Sequence, residues 1–311
     1  MRTFALLSAA FALLLVAPGD IAGAPDAGAK KRCHVVIKKV HGKKKRVRVC
    51  TKPKPRPRPS AMRRIDVGGY KLALECRGKG APAVVLDSGF GTSRAAWSRV
   101  LPRVSSTTRI CSYDRAGLGQ SDRRPRKLAP TTARVITELH ALLQRGGIAP
   151  PYVLGGWSIG GLDVRYFAKV YPADVAGLVL VDGTPPVFLP DQRISSPFET
   201  MIVGDAAAAL EPPPSLAALP LIDLTHGTPY EDAAVEARWI REQKRVTLSS
   251  TNSMLVRADG VGHDIPEGNP LLVATALKLV VAGVQAAGAL PPCTQTAFAQ
   301  MGGTCLDPSA R

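Results

Sequence analysis

The sequence predicts an α/β protein built around a mostly parallel sheet. At 311 residues, with 45% hydrophobic residues, the chain can form one large domain with additional segments. Short apolar runs alternate with helical patterns along most of its length, which is typical of parallel strands joined by helices. The apolar run Tyr152-Val153-Leu154 also leads through Gly156-Trp157-Ser158-Ile159-Gly160 into a helical pattern, which predicts a sharp strand-turn-helix junction.

The predicted elements follow one another from residue 64. They are strands at 64–67 and 71–76, a strand at 83–86, a helix at 97–104, a strand at 109–113, a helix at 132–145, a strand at 152–154, a helix from 161, strands at 176–181 and 221–225, a helix at 233–246, a strand at 254–257 and a helix at 271–284. A proline-rich insertion at about 184–217 predicts a small cap. We therefore expect one domain over 63–290, followed by a loose C-terminal tail at 291–311.

The first 24 residues have the pattern of a secretory signal peptide. Arg2 precedes an apolar run from Phe4 to Val16, and small residues follow at 22–24. The run is too short for a stable membrane anchor. A buried N-terminal helix is the alternative interpretation. The pattern predicts a protein that is secreted, extracellular or associated with the cell envelope.

Six cysteines agree with export, because disulfides persist in oxidising compartments. Fifteen pairings are possible in principle. Proximity in the sequence suggests Cys33–Cys50, Cys76–Cys111 and Cys293–Cys305.

The positive charge is concentrated in the N-terminal extension, residues 25–62. Residues 30–64 contain 16 Lys or Arg and no Asp or Glu, whereas the net charge of the whole chain is +17. Two β-branched stretches predict a hairpin closed by Cys33–Cys50, and alternating cations and prolines at 52–59 predict a stiff, extended linker. Residues 30–64 could bind an anionic cell-wall polymer or lipid surface, or serve as a solvated linker. Nucleic acid is not expected, because no aromatic residues are interleaved for stacking on bases.

The glycine-flanked turn at Ser158 is typical of a nucleophilic serine. A very sharp turn strains the serine backbone, and glycines two residues away on either side avoid clashes. A serine hydroxyl needs a base within hydrogen-bond reach to become a nucleophile. The five histidines are His34, His41, His140, His226 and His263. His226 and His263 each follow a predicted strand and are the candidates for this base.

At residues 63–286 the chain resembles the α/β-hydrolase superfamily. The segments that carry the resemblance are Asp87-Ser88-Gly89-Phe90-Gly91, the stretch from Tyr113 to Asp122, Gly156 to Gly161, and Gly262-His263-Asp264. The usual His-Gly pair of the first segment is Ser88-Gly89 here. Their order along the chain is that of the family. The resemblance implies a mostly parallel eight-stranded sheet with flanking helices and a small cap.

The resemblance also implies roles for individual residues. It makes Ser158 the nucleophile and His263 the base, with His226 as the alternative base. It assigns the oxyanion hole to the backbone amides of Phe90 and Ile159. Since the second and fourth strands are neighbours in this family, it supports the Cys76–Cys111 pairing.

The acid that orients the histidine remains open in the sequence. Many family members place it after the seventh strand, where this chain has Tyr230, followed by Glu231 and Asp232. Other members place it at the end of the sixth strand, where this chain has Asp182. We favour Asp182, with Asp232 or Glu231 as alternatives.

Together these patterns predict a secreted, carboxylesterase-like serine hydrolase that acts on a small-molecule ester or amide through an acyl-enzyme. An aminopeptidase or amidase of the same fold is one alternative. A non-catalytic protein that binds a polyanion or the cell wall is another. We expect no cofactor and no metal, because neither a metal-ligand motif nor a dinucleotide fingerprint occurs.

Overall fold

The basic extension and the rest of the chain form two units in the computed structural model. The structure describes residues 32–40, 43–51, 62–189 and 192–309. In the first unit, β1 (Arg32–Val40) and β2 (Lys43–Thr51) pair as an antiparallel hairpin, with Cys33 opposite Cys50 in the register. The bridge between these two cysteines stays a prediction. The predicted signal peptide and the Lys/Arg-Pro linker lie outside the described residues.

The second unit is organised by a nine-stranded sheet in the order β13-β12-β11-β8-β7-β5-β6-β4-β3. Its strands are β3 (Arg63–Asp66), β4 (Lys71–Arg77), β5 (Ala83–Asp87), β6 (Ile110–Tyr113), β7 (Tyr152–Trp157), β8 (Val175–Val181), β11 (Leu221–His226), β12 (Ser253–Ala258) and β13 (Gly303–Leu306). Pairing is parallel from β6 through β12 and antiparallel at the two edges. The mostly parallel sheet predicted from the sequence is therefore present.

The ninth strand comes from the tail that the sequence analysis treated as loose. β13 pairs antiparallel with the edge strand β12, with Gly303 opposite Ala258. Phe298 is fully buried in the core beside it, and a Cys293–Cys305 disulfide closes the segment. The expectation of eight strands was short by one, because a four-residue strand between polar residues has too little apolar periodicity to be recognised.

Helices cover both faces of the sheet. They are α1 (Leu101–Val104), α2 (Thr132–Arg145), α3 (Ile159–Val170), α5 (Ala233–Thr247), α6 (Ile265–Gly268) and α7 (Pro270–Gln285). On β5, Val84 and Leu86 point to the face covered by α1 and α7, whereas Val85 points to the face covered by α2 and α3. Burial on both faces explains why the central strands are continuous apolar runs. Among the described helices, none is long and apolar enough to cross a membrane.

A small cap lies between β8 and β11 in the chain. It contains the strand pair β9 (Arg193–Ser195) and β10 (Thr200–Ile202) and the short helix α4 (Gly204–Ala209). Met201 and Val203 are buried against Leu162 of α3 in a separate apolar cluster. The cap is therefore packed onto the helix that follows the glycine-flanked turn.

The β4–β6 pair carries the second described disulfide. Cys76 and Cys111 are directly opposite one another in the antiparallel register and are bonded to each other. This pair and Cys293–Cys305 are two of the three bridges that sequence proximity suggested.

Candidate active site

Ser158 occupies the sharp turn between β7 and α3. Its backbone has φ 56° and ψ −122°, a strained conformation for a residue with a side chain. A Cβ atom at Gly156 would collide with the carbonyl oxygen of Gly160, and one at Gly160 would lie 2.5 Å from the carbonyl oxygen of Asp87. The chain can therefore turn this tightly only with glycine at both positions, and the turn directs the serine side chain away from the sheet.

Three side chains from separate loops form one hydrogen-bonded row. His263 Nε2 lies 2.9 Å from Ser158 Oγ, and His263 Nδ1 lies 2.6 Å from Asp182 Oδ2. The ring nitrogens of His263 thus bridge a hydroxyl and a carboxylate, which is the arrangement that general-base activation of a serine requires. The structure brings together Ser158, His263 and the acid favoured from the sequence.

The position of His263 is set by the loop that follows β12. Trp157 Nε1 donates a hydrogen bond of 2.8 Å to the carbonyl oxygen of His263, so the residue beside the serine holds the histidine loop. The Trp157 and His263 rings are also in contact, with centroids 5.8 Å apart. The side chain of His263 is 36% exposed, which leaves it accessible from solvent.

Asp182 directly follows β8 and is completely buried. Its backbone is left-handed, with φ 48°, and its carboxylate also accepts a hydrogen bond of 3.0 Å from Trp239 Nε1. Burial alone would raise the pKa of Asp182, but hydrogen bonds from His226 and His263 hold that pKa below its ordinary value. The carboxyl group is therefore ionised at neutral pH and can accept the Nδ1 proton of His263.

The alternative acids have other positions. Asp232 caps the N-terminus of α5, where its Oδ1 accepts hydrogen bonds from the amides of Ala234 (2.8 Å) and Val235 (3.1 Å). Glu231 is exposed beside it. Neither carboxylate contacts His263, so the geometry leaves Asp182 as the candidate acid.

The two predicted oxyanion amides belong to the residue after Ser158 and to the loop after β5. Ile159 is the first residue of α3, so its N–H has no acceptor within the helix. Phe90 lies in the loop after β5, and its amide donates no hydrogen bond to the described residues. Both amides are therefore available to a negatively charged oxygen at the helix N-terminus, where the helix dipole also favours it.

A buried arginine fixes the loop that carries Phe90. Arg115 Nη1 donates to Asp87 Oδ1 (2.7 Å) and to the carbonyl oxygen of Ser88 (2.6 Å), while Nη2 donates to the carbonyl oxygen of Gly89 (2.7 Å). Burial lowers the pKa of Arg115, but the surrounding carboxylates outweigh this effect and hold it well above its usual range. Arg115 therefore remains positively charged and holds the loop that carries Phe90 in place by hydrogen bonds.

The cap completes this brace through Glu199. Its carboxylate forms a bidentate salt bridge with Arg115, and its Oε2 also accepts a hydrogen bond of 2.8 Å from the amide of Gly91. Buried, charge-assisted hydrogen bonds thereby connect the cap to the loop that carries Phe90. Hydrogen bonds to ionised groups are stronger than hydrogen bonds between neutral groups.

His226, the alternative base, does not contact Ser158. It ends β11 and is buried, with Nδ1 2.8 Å from Asp182 Oδ2 and Nε2 2.9 Å from Glu236 Oε2. The structure therefore separates the two histidines that the sequence left as candidates. His263 connects Asp182 to Ser158, whereas His226 connects Asp182 to Glu236.

Sequence reasoning missed Glu199, Glu236 and Trp239. Glu199 belongs to the cap, which has no periodicity, and the other two lie on α5, where a glutamate three residues before a tryptophan signals only a helix. No motif marks them, because their importance depends on which loops meet in space. Among the described residues, no group of three or more His, Cys, Asp or Glu could hold a metal ion.

Comparisons with known proteins agree with this fold. A family model for the alpha/beta hydrolase fold matches residues 82–200, from the strand before the oxyanion loop to the cap. The uncharacterized protein YqjL of Bacillus subtilis is 25% identical over 214 residues, which are 65% of this chain and 84% of YqjL. A pimeloyl-[acyl-carrier protein] methyl ester esterase of Edwardsiella ictaluri is 33% identical over 110 residues, 35% of this chain and 39% of that esterase.

Solved structures show the same architecture. DBJA superimposes with a TM-score of 0.60 at 18% identity, covering 73% of this chain and 98% of DBJA. A thermophilic esterase from Thermogutta terrifontis superimposes with a TM-score of 0.55 at 22% identity, covering 72% of this chain and 99% of the esterase. The strand order, the family model over residues 82–200 and the solved structures agree on an α/β-hydrolase fold.

Proposed function

We propose that this protein is a serine hydrolase that cleaves carboxylic esters through an acyl-enzyme. The observation that carries the proposal is the continuous row of hydrogen bonds from Asp182 through His263 to Ser158. A serine with this partner arrangement and a strained backbone is suited to nucleophilic attack on an acyl carbon.

In the acylation step, Ser158 Oγ attacks the ester carbonyl carbon while His263 Nε2 takes the hydroxyl proton. Asp182 stabilises the imidazolium that forms and keeps the proton of Nδ1 in place. The carbonyl oxygen becomes an oxyanion and accepts hydrogen bonds from the amides of Phe90 and Ile159. The bond to the alkoxy group then breaks, and His263 returns its proton to the departing alcohol.

In the deacylation step, a water molecule replaces the alcohol. His263 takes one proton from the water as its oxygen attacks the acyl carbon. Collapse of the second tetrahedral intermediate breaks the bond to Ser158 Oγ, and His263 returns the proton to that oxygen. The products are a carboxylic acid and the free serine, so the enzyme is regenerated.

Esters are favoured over amides by the relatives. The Thermogutta terrifontis protein is described as an esterase and the Edwardsiella ictaluri protein as a methyl ester esterase. The row of hydrogen bonds does not separate the two classes, because a histidine in this arrangement can return its proton to a departing alcohol or to a departing amine. Kinetics on both kinds of substrate therefore separate esters from amides.

Labelling and turnover test this proposal. A fluorophosphonate should modify the wild-type protein at Ser158, and p-nitrophenyl esters of increasing acyl length should be hydrolysed faster than amino-acid p-nitroanilides. Ser158→Ala should lose both labelling and turnover, by about 10⁴-fold or more in kcat. Ser98→Ala, which removes an exposed hydroxyl outside the site, is the matched control and should keep both. Labelling elsewhere, or a Ser158→Ala variant with more than a tenth of wild-type turnover, would refute the mechanism.

Export and surface binding are the second part of the proposal. The two described disulfides support an oxidising compartment. The 16 cations of residues 30–64 support binding to an anionic cell-wall polymer or lipid surface.

A protein that starts at Arg63 should hydrolyse a soluble ester at the wild-type rate but should no longer sediment with anionic lipid vesicles. Binding of the full chain should weaken steeply between about 50 and 200 mM salt, because exposed charges are screened. Salt-independent binding, or equal binding by the shortened protein, would contradict this part.

A further inference from the structure

His226 has a carboxylate at each of its two ring nitrogens. Nδ1 lies 3.0 and 2.8 Å from the two oxygens of Asp182, and Nε2 lies 2.9 Å from Glu236 Oε2. The ring is 2% exposed, so water does not replace either partner. His226 therefore contacts both oxygens of the candidate acid, including Oδ2, which also faces Nδ1 of His263.

This geometry determines the protonation state of His226. An ionised carboxylate can only accept hydrogen bonds, so each of its contacts with the ring needs an N–H on the histidine side. A neutral imidazole has one N–H and could satisfy only one of the two carboxylates. Only the imidazolium has both, because a carboxylate oxygen that faces the lone pair of a ring nitrogen makes no hydrogen bond with it and is repelled by it.

We propose that His226 is a positioning residue, protonated at neutral pH, that holds the Asp182 carboxylate for His263 and neutralises part of its charge. The inference rests on the proposed function, since it assigns Asp182 the role of triad acid. Asp182 then has two histidine partners, the cation His226 and the proposed base His263.

The groups that face His226 support this charge arrangement. Asp182 comes from the end of β8 and Glu236 from α5, while the Tyr230 ring lies in edge contact 4.7 Å from the imidazole. Burial disfavours the cation, but hydrogen bonds and charges from the two carboxylates raise the pKa of His226 to about 9. Burial raises the pKa of Asp223, deeper on β11, to about 8, so this neighbour adds little negative charge at pH 7.

A fixed cation at His226 has a consequence for the base. His263 must be neutral to take the proton of Ser158, and a second imidazolium sharing Asp182 is disfavoured by the first. The charge of His226 therefore opposes the effect of the Asp182 charge on His263. Activity should extend further into the acidic range than in a variant without this cation.

The pH dependence of kcat/KM for a p-nitrophenyl ester tests this consequence. In His226→Gln, the acid limb should shift to higher pH by about 1 unit. The reason is that no cation then compensates the negative charge of Asp182 beside His263. The matched control is His140→Gln. His140 is also paired with a carboxylate, since its Nε2 lies 2.9 Å from Asp174 Oδ2. Asp174 precedes β8 and Asp182 follows it, so the length of this seven-residue strand, about 23 Å, separates the two carboxylates. This control should leave the acid limb where it is.

A second measurement does not depend on turnover. Nitrogen-15 NMR of the imidazole rings in Ser158→Ala should show both nitrogens of His226 protonated at pH 7.5. Glu236→Gln keeps the shape of the partner and removes its charge, so His226 should then lose its proton at a pH about 1 unit lower. Absence of ester hydrolysis in the wild type would refute the proposed function alone, while these spectra would still report on His226.

Two outcomes would overturn the inference. One is a neutral His226 ring at pH 7.5 in the spectra. The other is a His226→Gln variant that loses turnover equally at all pH values, with no shift of the acid limb, which is the result of a purely structural role.

Discussion

Glu199 of the cap and Arg115 of the loop after β6 form a bidentate salt bridge, with Nε–Oε1 and Nη2–Oε2 distances of 2.7 and 2.8 Å. Both side chains are buried, and the guanidinium also binds the backbone carbonyls of Ser88 and Gly89. The position of the cap is thus connected to the segment that presents the Phe90 amide.

Glu199→Gln should therefore weaken both stability and turnover. Removing one partner of a buried ion pair costs about 3 kcal/mol in the free energy of unfolding, and a looser oxyanion loop should lower kcat about tenfold with little change in KM. Glu211→Gln is the matched control, since Glu211 pairs with Arg245 on the surface and such pairs contribute at most about 1 kcal/mol. Equal effects of the two variants, by denaturant unfolding and ester kinetics, would show that the Glu199 bridge does not support the loop.

Asp182→Asn should lower kcat by about 10⁴-fold with the fold retained. An amide in this position stabilises the wrong tautomer of His263, so the histidine cannot take the serine proton. Asp232→Asn and Glu231→Gln should each cost less than about tenfold, because neither carboxylate contacts His263 and an asparagine at 232 can still cap α5. Circular dichroism checks the fold and ester kinetics check turnover. A larger loss in Asp232→Asn than in Asp182→Asn would transfer the role of acid to residue 232.

The stability of the wild-type protein should fall as the pH rises through the range in which His226 loses its proton. The pKa of His226 is about 9 in the folded protein and about 6.5 for an ordinary histidine. Its stabilising contribution is therefore complete below pH 6.5 and is lost as the pH rises toward 9, with a slope of at most about 1.4 kcal/mol per pH unit. Urea unfolding at pH 6, 7.5 and 9 measures this slope. The same series on His226→Gln should be flatter, and an equal slope in both proteins would mean that His226 is neutral in the folded state.

The C-terminal segment should contribute to stability although the sequence marks it as a tail. Phe298→Ala should cost about 3–5 kcal/mol, because it empties a fully buried ring site beside β12 and β13. Phe198→Ala is the matched control, since that ring is 70% exposed on the cap and should change the free energy of unfolding by less than about 0.5 kcal/mol. If both variants unfold at the same urea concentration as the wild type, the last strand is not part of the core.

Much of the fold follows from local pattern. The helix at 132–145 and the strand at 176–181 were predicted within a residue of the observed bounds, because helical periodicity and burial on both faces leave a strong signal in the sequence. β7 continues three residues beyond the predicted 152–154. The β13 strand was not predicted. Its stability comes from a neighbouring edge strand, a disulfide and one buried ring, and none of these is visible in a four-residue stretch.

The sequence by itself determined the fold class, the nucleophile candidate at Ser158 and the order of the candidate functional segments. These depend on local chemistry, since only glycines permit the turn around Ser158 and only a strand and helix on either side direct its hydroxyl outward. The choice among Asp182, Glu231 and Asp232, and the separate positions of His226 and His263, were decided by the tertiary structure alone. A carboxylate can orient a histidine only within hydrogen-bond reach, and that distance depends on how the ends of β8, β11 and β12 come together in the sheet.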